Sequence, residues 1–135
     1  MYSEQEIQAH RKLWTEALRS GRFKQGKSYL NRDGECCCLG VACEVFLENG
    51  GQMQTKIENG IKYYSYEDGI GQYEVLPKKV RDWLGISDSS GLLVEPVKVE
   101  TSTYQKSTYY LTQLNDDDDY TFSQIADVIE TVGIR

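Results

Sequence analysis

The sequence predicts an α+β fold: a small single domain over residues 1–135, with antiparallel hairpins packed against three or four short helices. Three observations carry this. Helical periodicity with capping signals occupies both ends of the chain, turn-forming residues separate β-capable runs in its middle, and no regular βαβ alternation is present. With 135 residues, 39% apolar and 27% charged, the chain can bury one core and is too apolar to be read as disordered.

Each element has its own signal. Ser3-x-x-Glu6 has the spacing of a capping box and starts a helix before Ile7. Ile7, His10, Trp14, Ala17 and Leu18 form a stripe at helical spacing that stops near Gly21. After a basic loop, Lys27–Leu30 and Glu35–Cys38 flank Asn31-Arg32-Asp33-Gly34, the pattern of a hairpin. Leu39–Leu47 reads as a short helix closed by Asn49-Gly50-Gly51. A second hairpin is expected from Gln54–Ile57, the turn Asn59-Gly60 and Ile61–Tyr66.

Leu76-Pro77 opens a helix carrying Val80, Trp83 and Leu84, with Gly85 just past its end. Leu92–Glu100 is expected to be extended, because its apolar residues are mostly β-branched and Pro96 disfavours helix. Thr101–Leu114 stays ambiguous between strand and short helix. Thr121-x-x-Gln124 caps the last helix, whose stripe is Phe122, Ile125, Ile129 and Val132.

The formal net charge of −6 argues against coating bulk nucleic acid, but it hides an asymmetry. Residues 1–34 carry +3 and the remainder −9, and five cations fall between Arg19 and Arg32 with no acid among them. The opposite pole includes the four carboxylates Asp116–Asp119. Segregation of this kind either creates a local field or is neutralised when the poles meet in the fold. No apolar run is long enough to span a bilayer, and the first residues begin no secretory signal, so no membrane partner is expected.

Gly21-Arg-Phe-Lys-Gln-Gly26-Lys27-Ser28 fits the phosphate-loop formula. That formula works when a strand feeds the loop and a helix leaves it; here the predicted order is reversed, and a phosphate-loop enzyme is not expected. The residue types still suit an anion. Arg22, Lys24, Lys27 and Arg32 can donate to phosphate, Phe23 and Tyr29 can stack a base, and Asn115 and Asp116 can read a sugar or base edge. Those eight residues are the candidate ligand site.

Other chemistry is weaker. Cys36, Cys37, Cys38 and Cys43 contain no C-x-x-C pair, and the single histidine, His10, is distant in sequence, so neither a zinc site nor a disulfide framework is expected. A hydrolase using Cys38 at a helix start lacks a partner base other than His10. Asp116–Asp119 lacks the glycine and terminal glutamate of a calcium loop. The ten tyrosines either cover the core or line a recognition surface.

Several stretches carry a resemblance: Trp14-x-x-Ala17-Leu18-x-Ser20-Gly21, Cys37-Cys38-Leu39-Gly40-Val41-Ala42-Cys43, Leu76-Pro77 through Gly85, and Leu114-Asn115-Asp116 with Phe122 to Asp127. Together they resemble a family of small proteins encoded by tailed bacteriophages and prophages. The resemblance implies the cytoplasm of an infected host cell as setting; that setting and the small size of the chain set the expectation of action against host defence. With the basic loop, this sets the expectation of a non-enzymatic, homo-oligomeric protein, without cofactor or metal, that sequesters a nucleotide-derived immune signal of cyclic or ADP-ribose type. The alternatives are an acidic protein–protein inhibitor of a host defence factor and a small hydrolase.

Overall fold

The structure, a computed structural model, describes residues 2–67, 70–97 and 108–135. The Ser3 hydroxyl accepts from the Glu6 amide at 3.1 Å, while the Ser3 amide donates to Glu6 Oε1 at 2.9 Å. This reciprocal pair starts α1 (Glu4–Arg19) and holds the Glu6 carboxyl below its usual pKa. The chain continues through β1 (Lys24–Gln25), β2 (Glu35–Cys36), α2 (Cys38–Glu48), β3 (Thr55–Glu58), β4 (Ile61–Glu67), β5 (Ile70–Gln72) and α3 (Lys78–Leu84) to α4 (Leu111–Asp116) and α5 (Phe122–Thr131). The class is α+β, with β3-β4-β5 an antiparallel sheet and β1-β2 a short parallel pair.

The core centres on α2. Its first six residues, Cys38 to Cys43, are apolar or glycine and all buried, and its two charges, Glu44 and Glu48, fall one turn apart on a single face of its C-terminal half. α1 lies against α2, α3 and α5, and α4 bridges α2 and α5. Gly40 explains one part of the Cys-Cys-Leu-Gly-Val run. A Cβ on Gly40 would stand 1.7 Å from the Leu30 carbonyl oxygen, so only glycine lets the buried Leu30 backbone lie against the helix.

The second hairpin forms where its turn chemistry places it. Asn59 (φ 54°) and Gly60 (φ 81°) are both left-handed, as a two-residue type I′ turn demands, and the register runs Glu58↔Ile61 to Thr55↔Tyr64. A polar group ties this sheet to α2. Lys62 Nζ lies 2.8 Å from Glu44 Oε2, and the fully buried Tyr64 hydroxyl donates to the same oxygen. Burial, with Glu44 alongside, pushes the Tyr64 phenol pKa far up. α3 ends at Gly85 (φ 67°), where Arg11 Nε donates to the Leu84 carbonyl at 2.7 Å and its Nη2 to that of Gly85 at 3.0 Å.

The first predicted hairpin is not a hairpin. The turn exists, with Asp33 (φ 53°) and Gly34 (φ 84°) left-handed and Arg32 and Glu35 exchanging bonds of 2.9 and 3.0 Å, but the ladder stops there. Ser28 (φ 71°) bends the chain, so β1 pairs with β2 in parallel, Lys24 opposite Glu35. The buried Leu30 sends its amide to the Tyr73 carbonyl at 2.7 Å instead. Among the described residues, Leu92 and Leu93 make single bridges, to Tyr110 and Ile134. The end of the ambiguous stretch resolves as α4, which makes five helices among the described residues; residues 98–107 lie outside them.

On helix propensity alone, Gly40→Ala would stabilise α2 by about 1 kcal/mol. The contact with the Leu30 carbonyl reverses the sign, and the expected outcome is a loss of about 3 kcal/mol in urea unfolding.

Candidate functional site

The basic loop leaves the end of α1 through Gly21 (φ 78°), runs through β1, and reaches Gly26, Lys27 and Ser28. A helix enters and a strand follows, the reverse of a phosphate loop. The Ser28 amide donates to Asp116 Oδ1 at 2.9 Å, so a carboxylate of the chain itself occupies the place a phosphate would take at that amide. Gly26 allows close approach here: a Cβ would meet Glu35 Cβ at 2.9 Å.

Asn115 fixes the geometry of the loop. It is 1% exposed, and its amide is fully used within the chain. Nδ2 donates to the Gly26 carbonyl at 2.9 Å and to Asp116 Oδ1 at 2.8 Å. Oδ1 accepts from Gln25 Nε2 at 2.9 Å and from the Cys38 amide at 3.2 Å. Asn115 and Asp116, expected to read a ligand, therefore hold the loop in place: burial and internal bonds leave Asn115 nothing to offer a ligand.

The cations divide. Arg22 forms a two-pronged pair with Glu48 at 3.0 and 3.2 Å, Lys24 meets Glu35 at 3.1 Å, Lys27 binds Asp119, and Arg19 forks onto Asp127 and Glu130. Arg32 differs. Among the described residues it has no ion pair, and its guanidinium lies 5.1 Å from the Tyr29 ring centroid. Lys27, Tyr29 and Arg32 line one cleft of about 330 Å³ together with Gln25, Ser28 and Glu35. Arg22 lines a different hollow, with Val45 and Glu48, and Phe23 is half-buried against the core with Arg22 over its ring. The structure thus brings together three of the eight expected ligand residues.

Sequence reasoning did not reach Tyr73. Its ring stacks on Tyr29 at 6.1 Å and lies 5.4 Å from Tyr63, extending an aromatic surface beside Arg32. Nothing in the local sequence of Tyr73 signals this, because β5 and the Leu30 amide place it there. A larger cleft, about 550 Å³, lies between the start of α1 and α3. Lys78 pairs with Asp82 at 2.8 Å, and Arg81 donates from Nη1 to the Ser87 carbonyl at 3.3 Å while its buried Nε has no hydrogen-bond partner among the described residues.

The thiols are unsuited to nucleophilic work. All four are buried and free, and burial pushes Cys36 up to about 11, Cys37 up to about 12, and Cys38 and Cys43 well above the usual range. His10 donates from Nδ1 to the Trp83 carbonyl at 2.7 Å and stacks on the Trp83 ring at 4.2 Å, a packing role. Among the described residues, no group of three or more His, Cys, Asp or Glu side chains is placed to hold a metal ion. No helix there is long and apolar enough to cross a membrane.

Two outcomes are expected. Asn115→Ala strands the Cys38 amide and the Gly26 carbonyl, and chemical denaturation should read a loss of about 2–3 kcal/mol. At pH 8 the native thiols stay protonated because their pKa values are raised. A thiol-reactive dye should therefore label none of the four cysteines before unfolding, and all four in denaturant.

No curated protein and no solved structure matches the chain. A family model described as a domain of unknown function, DUF8296, matches residues 4–133, from the first residue of α1 to beyond the end of α5. The chain belongs to the DUF8296 family.

Proposed function

We propose that the chain binds a nucleotide-derived small molecule in the cleft of Lys27, Tyr29 and Arg32, and holds it without cleaving it. The observation that carries this reading is Arg32: an exposed guanidinium without an ion pair among the described residues, set over Tyr29 on the wall of a 330 Å³ cleft. Ligand clefts run from about 300 to 1,000 Å³, so this one suits a small ligand. A phosphate on Arg32 and a base on the Tyr29–Tyr73 surface use the two groups for what each does well.

Lys27 is a second phosphate donor. Its pair with Asp119 is more than half exposed on both sides, at 54% and 74%. Such pairs contribute about 1 kcal/mol or less, below the roughly 1.5–3 kcal/mol of a charge-assisted bond to phosphate, so the ligand outcompetes Asp119. The buried thiols favour holding over cleaving. The acidic-inhibitor alternative is weakened, because Asp116 and Asp119, two of its four carboxylates, have partners within the chain. In the phage setting that the sequence resemblance implies, tight binding without chemistry removes a host immune signal from circulation.

The test is calorimetry against a panel of cyclic mono- and dinucleotides and ADP-ribose-type compounds. Arg32→Glu should abolish binding, Tyr29→Ala should weaken it roughly tenfold or more, and Arg22→Ala, in a separate hollow, should leave it unchanged. Binding that survives Arg32→Glu, or no binding to any member of the panel, overturns the reading.

A further inference from the structure

We infer that the open edge of β3 is a homodimerisation surface, on which a second copy of this chain pairs antiparallel about a two-fold axis through Ile57. The sheet order is β3-β4-β5, so among the described residues β3 has β4 on one side and no strand on the other, and its Ile57 is 69% exposed. The turn Asn59-Gly60 closes on Glu58↔Ile61. A two-residue turn closes on a hydrogen-bonded pair, so Glu58 and, by alternation, Lys56 spend their backbone groups on β4. Thr55 and Ile57 direct theirs to the open edge.

The charges on the strand choose the register. Two copies can meet with their outward groups opposed along the charged part of the strand when the axis passes through Lys56, Ile57 or Glu58; an axis through Thr55 sets Lys56 against the partner's Gln54 and pairs no opposite charges. An axis through Lys56 sets lysine against lysine and one through Glu58 glutamate against glutamate, both repulsive. Through Ile57, Lys56 stands opposite the partner's Glu58, and Glu58 opposite the partner's Lys56. These are the non-hydrogen-bonded positions, where side chains approach most closely. Lys56 already lies 3.8 Å from Glu58 of its own strand, so pairing builds an alternating four-charge array. Ile57 meets the partner's Ile57, removing an exposed apolar side chain from water, and the isologous contact closes as a dimer.

A lysine on an edge strand usually deters pairing; here its self-complementary spacing to Glu58 specifies one pairing instead. The far edge of the sheet also exposes an isoleucine, Ile70 at 72%, but β5 carries no charge to set a register. The surface is independent of the ligand cleft, whose lining includes no β3 residue.

The experiment is light scattering and sedimentation of the full chain at low salt, over a wide concentration range. The wild type should have twice the mass of one chain. Lys56→Glu and Glu58→Lys each turn both cross-strand pairs repulsive and should raise the dissociation constant roughly tenfold or more. The double exchange Lys56→Glu/Glu58→Lys should restore the dimer, and an equimolar mixture of the two single variants should form a mixed dimer. All three positions altered or flanked are exposed, and unchanged circular dichroism verifies the fold. A monomeric wild type throughout overturns the inference, as does a dimer that survives either single charge reversal.

Discussion

A helix whose first turns are buried on every side cannot leave its first amides to water, and α2 has no capping side chain of its own. Its N-cap residue is Cys37, which makes no side-chain cap bond. The Cys38 amide is satisfied instead by Asn115, distant in sequence at the end of α4, and the Cys38 carbonyl receives Trp14 Nε1 at 3.0 Å from α1. A buried amide without a partner costs about 1–3 kcal/mol, so three helices are obliged to meet at one place. The same Asn115 holds Gln25 and Gly26, and the cleft therefore inherits its shape from the capping of the core helix.

The electrostatics follow the same logic of long-range pairing. The cationic stretch and the acidic pole, far apart in sequence, meet in space. Arg19 takes Asp127 and Glu130, and Lys27 takes Asp119. Most of the local field that segregation suggested is cancelled by folding. What survives is concentrated on Arg32, which flanks the Asp33-Gly34 turn, is exposed, and among the described residues has no ion pair.

How much was legible in the sequence tracks how local each signal is. Ser3/Glu6 and Thr121/Gln124 are capping boxes within one turn of helix, and Asn59-Gly60 is a complete hairpin signal in two residues; all three read correctly. The first hairpin failed because its turn was also local and correct, but its strands were assigned by proximity. The left-handed Ser28, held by Asp116 from α4, sends the chain elsewhere. The eight-residue ligand site divided for a related reason. Polar type marks a residue able to bind a ligand, but only tertiary context says whether its bonds are already spent. Asn115 is spent on backbone and neighbouring side chains, Arg22 on Glu48, and Tyr73 stacks on Tyr29 beside the cleft from a segment with no signal of its own.

The Asp116 carboxylate on the Ser28 amide constrains what the cleft can recognise. In a phosphate loop, backbone amides and a helix dipole grip the anion, and side chains merely assist. Here that amide is filled by a covalently tethered acid at very high effective concentration, and a ligand phosphate has to compete with it or bind elsewhere. Side-chain cations on the cleft wall, Arg32 first and Lys27 after release from Asp119, are the remaining donors. They can follow a phosphate to different positions, whereas a backbone cradle fixes it. Discrimination among nucleotides must then come from the other half of the ligand, through stacking on Tyr29 and Tyr73. A cleft built this way tells an aromatic base from its absence better than it counts phosphates.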